Sequence, residues 1–450
     1  MKILIITPYL PWPLDSGGKA AQYSTLSALA EHHQFILVCP EQDSNSIENA
    51  RELETQLPHV SIRLAKIIQS SSLHSYANKK INSVCLLKRF YAYSKINIKK
   101  VVRAVSGMIS KTLKSSQEIS IPSLVKHGNT MPYNPFTVLC PQLLFEIQIA
   151  LKENPELIQI EFADMLSLLA WLPKEIPRLF IHHQLHWIYA ERLLTSCRSI
   201  PYGDYIKEYM KLQELALLSK VDAIIAFSDI DSKAISSELS NIPIYVSPFP
   251  IPSDVEKPPN HIVLFNNTFL FLGSSKHHPN VQAAEWMLRE IWPLIVERKP
   301  NTKLKLIGDW PIEFKQYWSN KNISFNGYVD DLPLAMRGCV LLVPLKIGSG
   351  IRTKILAAMS QCVPVVSTTI GCEGLLLTPN VDILVADTAT DFVNASVSLA
   401  SDPKLFEKVA LSALRAAKNY SSAEVCRRRN YIYNEVVKLK HQPINKLNKC

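Results

Sequence analysis

At 450 residues, with 47% apolar and 20% charged residues, the chain is too long for one hydrophobic core and too apolar to be disordered. The formal charge is +10, and no run approaches the roughly 18 to 20 uninterrupted apolar residues that span a bilayer. Two domains are expected, with any membrane role peripheral. The nine cysteines are scattered, with no CxxC and no Cys/His pairing at metal spacing, so reduced thiols in a cytoplasmic protein without a metal centre are the expectation.

The apolar run 3–6 is too short, and too quickly stopped by proline, for a secretory h-region, and reads as a buried strand. A Pro-rich turn with Gly17-Gly18 follows, then a helix over 20–30 with Leu26 and Leu29 at helical spacing, then a second strand over 35–39. A basic helical insert occupies about 70–135. Within it, Lys79 to Lys114 holds ten Lys or Arg and no Asp or Glu, equal to the whole net charge. Apolar residues such as Phe90, Tyr91, Ile98, Val101 and Val105 interleave with the bases. That pattern suits an anionic membrane surface better than nucleic acid, or it is a solvated basic helix pair with one half-buried face.

Strand and helix alternation resumes with strands expected at 157–160, 179–181 and 223–227, the mark of a parallel sheet covered on both faces. Five of the twelve residues 248–259 are proline, which places a linker there. The alternation then restarts: strands at 269–272, 304–307, 323–325, 340–343, 363–366 and 383–385, a helix over 279–297 and another over 351–361. After Asp402 only helical patterns remain, at 405–417 and 423–437. The fold class is therefore α/β, with two Rossmann-like domains. Residues 1–250 form an amino-terminal domain, 251–422 a carboxy-terminal domain, and 423–450 a final helix and tail.

Glycine is scarce, 13 in 450, and most of it punctuates strand ends: Gly17-Gly18, Gly273, Gly308, Gly327 and Gly348-Ser349-Gly350. In open parallel sheets ligands bind at these ends, where glycine permits close backbone approach and helix amino termini favour anions. In the run 344–356, a glycine loop feeds a helix with Arg352 and Lys354 in its first turn. Cations there oppose the helix dipole, so a diphosphate would relieve the arrangement; the bland alternative is an ordinary turn with solvated cations. The loop is not GxxxxGK[ST], against a P-loop NTPase. Lys276-His277-His278 sits at another strand exit, as a second basic group or as a simple helix cap. In the first domain Ile181-His182-His183-Gln184-Leu185-His186 ends a strand, so one or two imidazoles could meet sugar hydroxyls or take an acceptor proton. A structural role for each histidine is the competing reading, and zinc is disfavoured without HExxH or a third ligand.

These residues resemble the retaining GT-B glycosyltransferases of family four, over nearly the whole chain except the basic insert. The similar elements are Phe271-Leu272-Gly273, Pro279-Asn280, Trp292-Pro293, residues 304–309, Gly327-Tyr328-Val329, residues 344–356, residues 364–368 and Gly371-Cys372-Glu373-Gly374-Leu375. Residues 11–18 resemble the family's amino-terminal Gly-Gly loop, and 222–231 its "DA … SxxD" strand and helix start. The resemblance implies two domains facing across a cleft and retaining transfer from a nucleotide-sugar donor to a glycan or lipid-linked acceptor, in exopolysaccharide or envelope-glycan synthesis. It needs no cofactor and no metal. It further implies Arg352 and Lys354 on the diphosphate, with His182 or His183 on the sugar or acceptor. The donor would be lined by Gly17, Gly18, Gly273, Lys276, Gly308, Tyr328, Gly348, Ser349, Gly350, Glu373 and Gly374. The family's paired glutamates fall here on Ser349 and Ala357, with Glu373 as a partial substitute. A degenerate binding or scaffold protein and a nucleotide-sugar epimerase are the alternatives.

Overall fold

The computed structural model describes residues 1–14, 17–66, 139–196, 203–348 and 350–441. The basic segment Lys79 to Lys114 and Ser349 lie outside the described residues. The first sheet comprises β1 (Lys2–Ile6), β2 (Gln34–Pro40), β3 (Val60–Ala65), β4 (Leu157–Glu161), β5 (Arg178–His182), β6 (Ala223–Ala226) and β7 (Ile244–Val246). Its order is β3-β2-β1-β4-β5-β6-β7, parallel throughout. The second comprises β8 (Thr268–Leu272), β9 (Lys303–Ile307), β10 (Ile323–Gly327), β11 (Cys339–Val343), β12 (Val365–Ser367) and β13 (Leu384–Val385). Its order, β10-β9-β8-β11-β12-β13, repeats the pattern, again parallel. Each sheet has its switch point between its first and fourth strands, where crevices open in doubly wound folds.

Apolar runs become strands here because both faces are covered. Leu4 and Ile6 of β1, Ile158 and Ile160 of β4 and Phe180 of β5 enter one core cluster. Their alternates Ile3, Ile5, Leu157, Leu179 and Ile181 enter the other, which runs on into the second sheet through Phe269, Leu341 and Val365. The helices of the first half are α1 (Gly17–Leu29), α2 (Ser46–Gln56), α3 (Pro141–Leu151), α4 (His186–Ser196), α5 (Gly203–Leu218) and α6 (Asp229–Ser236). Those of the second are α7 (His278–Trp286), α8 (Trp292–Arg298), α9 (Ile312–Trp318), α10 (Leu332–Met336), α11 (Thr353–Ser360), α12 (Ala389–Ser401), α13 (Pro403–Ala417) and α14 (Ser422–His441). The described residues among 1–65 and 139–441 belong to one compact unit.

Several details differ from the sequence reading. The single helix expected over 279–297 is α7 and α8 joined by a π-helical turn, Met287–Ile291, with Pro293 in the first turn of α8, where its missing N–H is tolerated. The edge strands β3 and β7 and the helix α12 were not anticipated. The last helix, α14, packs along α1 and bonds back to the first sheet. Its Arg429 donates to Ser247 Oγ at 2.9 Å, its Tyr433 to Gln159 at 2.7 Å and its Lys440 to Asp222 at 2.7 Å. No helix among the described residues is long and apolar enough to cross a membrane.

Candidate functional site

The carboxyl ends of the two sheets meet through very close contacts at glycines. A Cβ on Gly350, whose φ is +76°, would stand 2.8 Å from the carbonyl oxygen of His183. One on Gly374 would stand 2.9 Å from Ser228 Cβ, and one on Gly17 2.9 Å from Thr353 Oγ1. At the positive φ of Gly350 and Gly374 only glycine lets the two halves approach this closely. Gly17 opens α1 and Thr353 opens α11, so two helix amino termini are brought side by side. Gly18 faces the Tyr9 hydroxyl.

Two cations converge there. Lys354 donates to the carbonyl oxygen of Leu272, the last residue of β8, and to Asn280 Oδ1 at 3.0 Å, both neutral oxygens. Burial, aided by the neighbouring Arg352, pushes its ammonium down to about 7. Arg352 donates to the carbonyl oxygen of Gly350. Burial lowers it to about 10 against the opposing pull of Glu373, while Arg192 pushes the same way as burial. Lys354 is thus partly buried on a carbonyl and an amide oxygen, beside Arg352 at the head of a helix: a setting suited to an anion. Gly273 lies against Asn280, and Gly308, at φ +130°, abuts the Gly273 carbonyl, so these two glycines shape the floor beneath Lys354.

The other expected donor residues are placed less centrally. Lys276 is largely exposed, its side chain 72% so, 3.6 Å from Asp309. Tyr328 follows the edge strand β10 and is 53% exposed. Gly348 carries Arg192 on its carbonyl oxygen. Glu373, expected at the sugar or ribose, is held by a two-pronged pair with Arg192 of α4, both contacts at 2.7 Å. Ala357 is buried, 3% exposed, within α11.

The two histidines separate. His182 is 1% exposed at its side chain and lies 2.8 Å from the buried Glu214 of α5, packed edge-on to Phe180. Burial alone would raise Glu214, but the imidazoles of His182 and His186 outweigh it and hold the carboxyl at about 2. The expectation that His182 contacts substrate is therefore corrected: strand alternation turns it into the core. His183, the first residue past β5, points the other way. Its ring stacks on Phe162 at 3.6 Å, with Phe227 and Phe249 around it, and Nε2 bonds Glu161 at the end of β4. Burial pulls the imidazole below its ordinary value, with Glu161 opposing. Glu161 and Arg192 were not anticipated; neither lies in a local pattern that marks it. Among the described residues no group of three or more His, Cys, Asp or Glu is arranged to hold a metal.

Two parallel, doubly wound domains with strand ends opposed across a crevice, one bearing a cationic helix head, constitute the GT-B architecture. Residues 266–402 match the family model described as "Glycosyl transferases group 1". A 44.6 kDa protein from the cps region of Klebsiella pneumoniae is 24% identical over 173 residues, a match spanning 36% of this chain and 45% of that one, less than half the relative's length. Among solved structures, a S. aureus TarM variant in complex with fondaparinux, alpha-GlcNAc-glycerol and UDP superposes with TM-score 0.63 at 11% identity, covering 96% of this chain and 99% of that one. Anabaena HepE in complex with UDP-glucose gives TM-score 0.61 at 11% identity, covering 97% and 100%. Sucrose-phosphate synthase of Thermosynechococcus elongatus gives 0.63 at 13%, covering 97% and 99%. At these identities the likeness is one of fold.

Proposed function

We propose that the protein is a glycosyltransferase that moves a sugar, with retention, from a nucleotide-sugar donor to a glycan or lipid-linked acceptor of polysaccharide assembly. The observation that carries this reading is Lys354: a partly buried ammonium on neutral oxygens, beside Arg352 and the head of α11. A nucleotide diphosphate seated there would gain both cations, and the same charges would stabilise the diphosphate as it leaves, with no metal required. Fixed positive charge aimed at a developing anion is often the largest catalytic contribution. Gly348 and Gly350 would allow the backbone to approach the phosphates, and His183 would meet the sugar or acceptor. The likeness to TarM and HepE, solved with UDP or UDP-glucose, makes uridine the first base to test, and the cps-region relative favours a polysaccharide product. Retention rests on the motif series around 344–375.

A thermal-shift panel of UDP, GDP, ADP and their sugars tests the donor site. A ligand at 100 times its Kd stabilises by about 2.7 kcal/mol, so one nucleotide class should raise Tm clearly. No shift with any of them removes the reading. NMR of the product anomer then separates retention from inversion. The buried Ala357, at a position where the family carries a carboxylate, favours a second reading, a nucleotide-binding protein without transfer; binding without sugar release to any glycan acceptor would select it. For the acceptor side, Lys79 to Lys114 is proposed to hold the protein at an anionic membrane face. Flotation with anionic vesicles but not neutral ones supports this, and equal behaviour of a Lys99, Lys100 and Arg103 triple alanine variant contradicts it.

A further inference from the structure

His183 is the end of a chain of buried polar side chains that begins on the last helix. Tyr433 of α14 donates its hydroxyl to Gln159 Oε1 at 2.7 Å; Gln159 Nε2 donates to Glu161; Glu161 receives His183 Nε2. Tyr433, Gln159 and Glu161 are all 5% exposed or less, in a region where a satisfied network is strongly ordered and a broken one is costly. Arg429, 1% exposed and one turn before Tyr433 on α14, lies near Glu161 and balances its charge. The backbone is also committed: Phe162, between Glu161 and the following turn, sits at φ +66°, a region costly for an aromatic residue, and its ring is the one stacked on His183. Strain of that kind persists where the surroundings over-determine a position.

We propose that Glu161 is a positioning residue that fixes the ring orientation and tautomer of His183, with Gln159 and Tyr433 of the carboxy-terminal helix holding Glu161 in turn. A carboxylate can only accept, so His183 Nε2 carries the proton and Nδ1 keeps its lone pair. Nδ1 is then the ring atom that meets a sugar or acceptor hydroxyl, as acceptor of its hydrogen bond. This rests on the reading of the crevice as a sugar-transfer site, but the orientation of the ring is testable without any substrate. The charged groups that act on the imidazole are Glu161 from β4, Arg429 from α14 and, from the opposite face of the strand, His182, while Phe162, Phe227 and Phe249 pack against the ring.

The test is proton NMR of the full chain. A strongly downfield, slowly exchanging imidazole N–H resonance is expected, assigned by its absence in His183→Ala. It should vanish in Glu161→Ala, shift in the near-isosteric Glu161→Gln, and move in Tyr433→Phe, whose change is one hydroxyl. Tyr433→Phe should bind UDP as the wild type does. No such resonance in the wild type, or one unchanged in Glu161→Ala and Tyr433→Phe, overturns the proposal. Failure of the wild type to bind any nucleotide would instead strike the donor reading and leave this result standing.

Discussion

The two sheets handle the charged groups at their strand ends in opposite ways. On the first, each histidine beside the strand end is answered by a carboxylate: His182 by Glu214, His183 by Glu161. On the second, Lys354 rests on a carbonyl and an amide oxygen, and the nearby carboxylate Glu373 is shared between Arg192 and Arg352. One side is internally balanced and built for orientation; the other is left positive and suited to a ligand that brings its own charge. A protein shaped only for stability would not need to bury the Lys354 ammonium on neutral oxygens, since taking a charge out of water is costly.

The contrast can be broken at its point of contact. Gly350→Ala puts a Cβ against the His183 carbonyl at a positive φ, and strain of this kind costs about 1 to 3 kcal/mol. The expected result is a drop in Tm of several degrees together with weaker nucleotide binding; an unchanged Tm would mean the two halves are not held at this spacing. A smaller effect is expected from Arg192→Gln, which removes the pair with Glu373 across the crevice. That pair is partly exposed, 22% on each side, so the loss should be about 1 kcal/mol by chemical denaturation.

The most diagnostic effect is one of pH. The ammonium of Lys354 is lowered to about 7 in the folded chain, while in the unfolded chain it keeps its ordinary value near 10.5. Between those values the unfolded state holds more protons, so its contribution makes stability rise with pH, and below about 7 the cost of burying the charge is fully present. Lys354→Met should therefore raise Tm at neutral and lower pH and flatten the slope between pH 7 and 10. An identical slope in the variant would contradict the burial of an unanswered cation. A bound anion favours the charged form, so nucleotide binding above pH 7 should take up a proton, measurable by calorimetry in buffers of different ionisation heat.

Much of the fold was legible because central parallel strands are apolar on both faces and leave unbroken runs such as residues 3–6, 35–39 and 269–272. The edge strands were not: β3 alternates weakly, and β7 is only three half-buried residues. The glycine loop with Arg352 and Lys354 was visible because its residues are consecutive. Which of His182 and His183 faces the crevice was not, since adjacent positions on a strand point to opposite faces and only the sheet's placement decides between them. Arg192 and Glu373 lie 181 positions apart, and Tyr433 lies 274 from Gln159; no local spacing announces either pair.

The central claim, that the second sheet carries positive charge for a diphosphate, is tested most directly by titrating UDP into the wild type and Lys354→Met side by side, with Tm measured on the same samples. Loss of one charge-assisted contact of about 1.5 to 3 kcal/mol predicts roughly 10-fold to 100-fold weaker binding, in a variant whose ligand-free Tm is higher than the wild type's. Unchanged UDP affinity in Lys354→Met, or a lowered Tm without loss of binding, would show that Lys354 serves the fold and that the phosphate site is elsewhere.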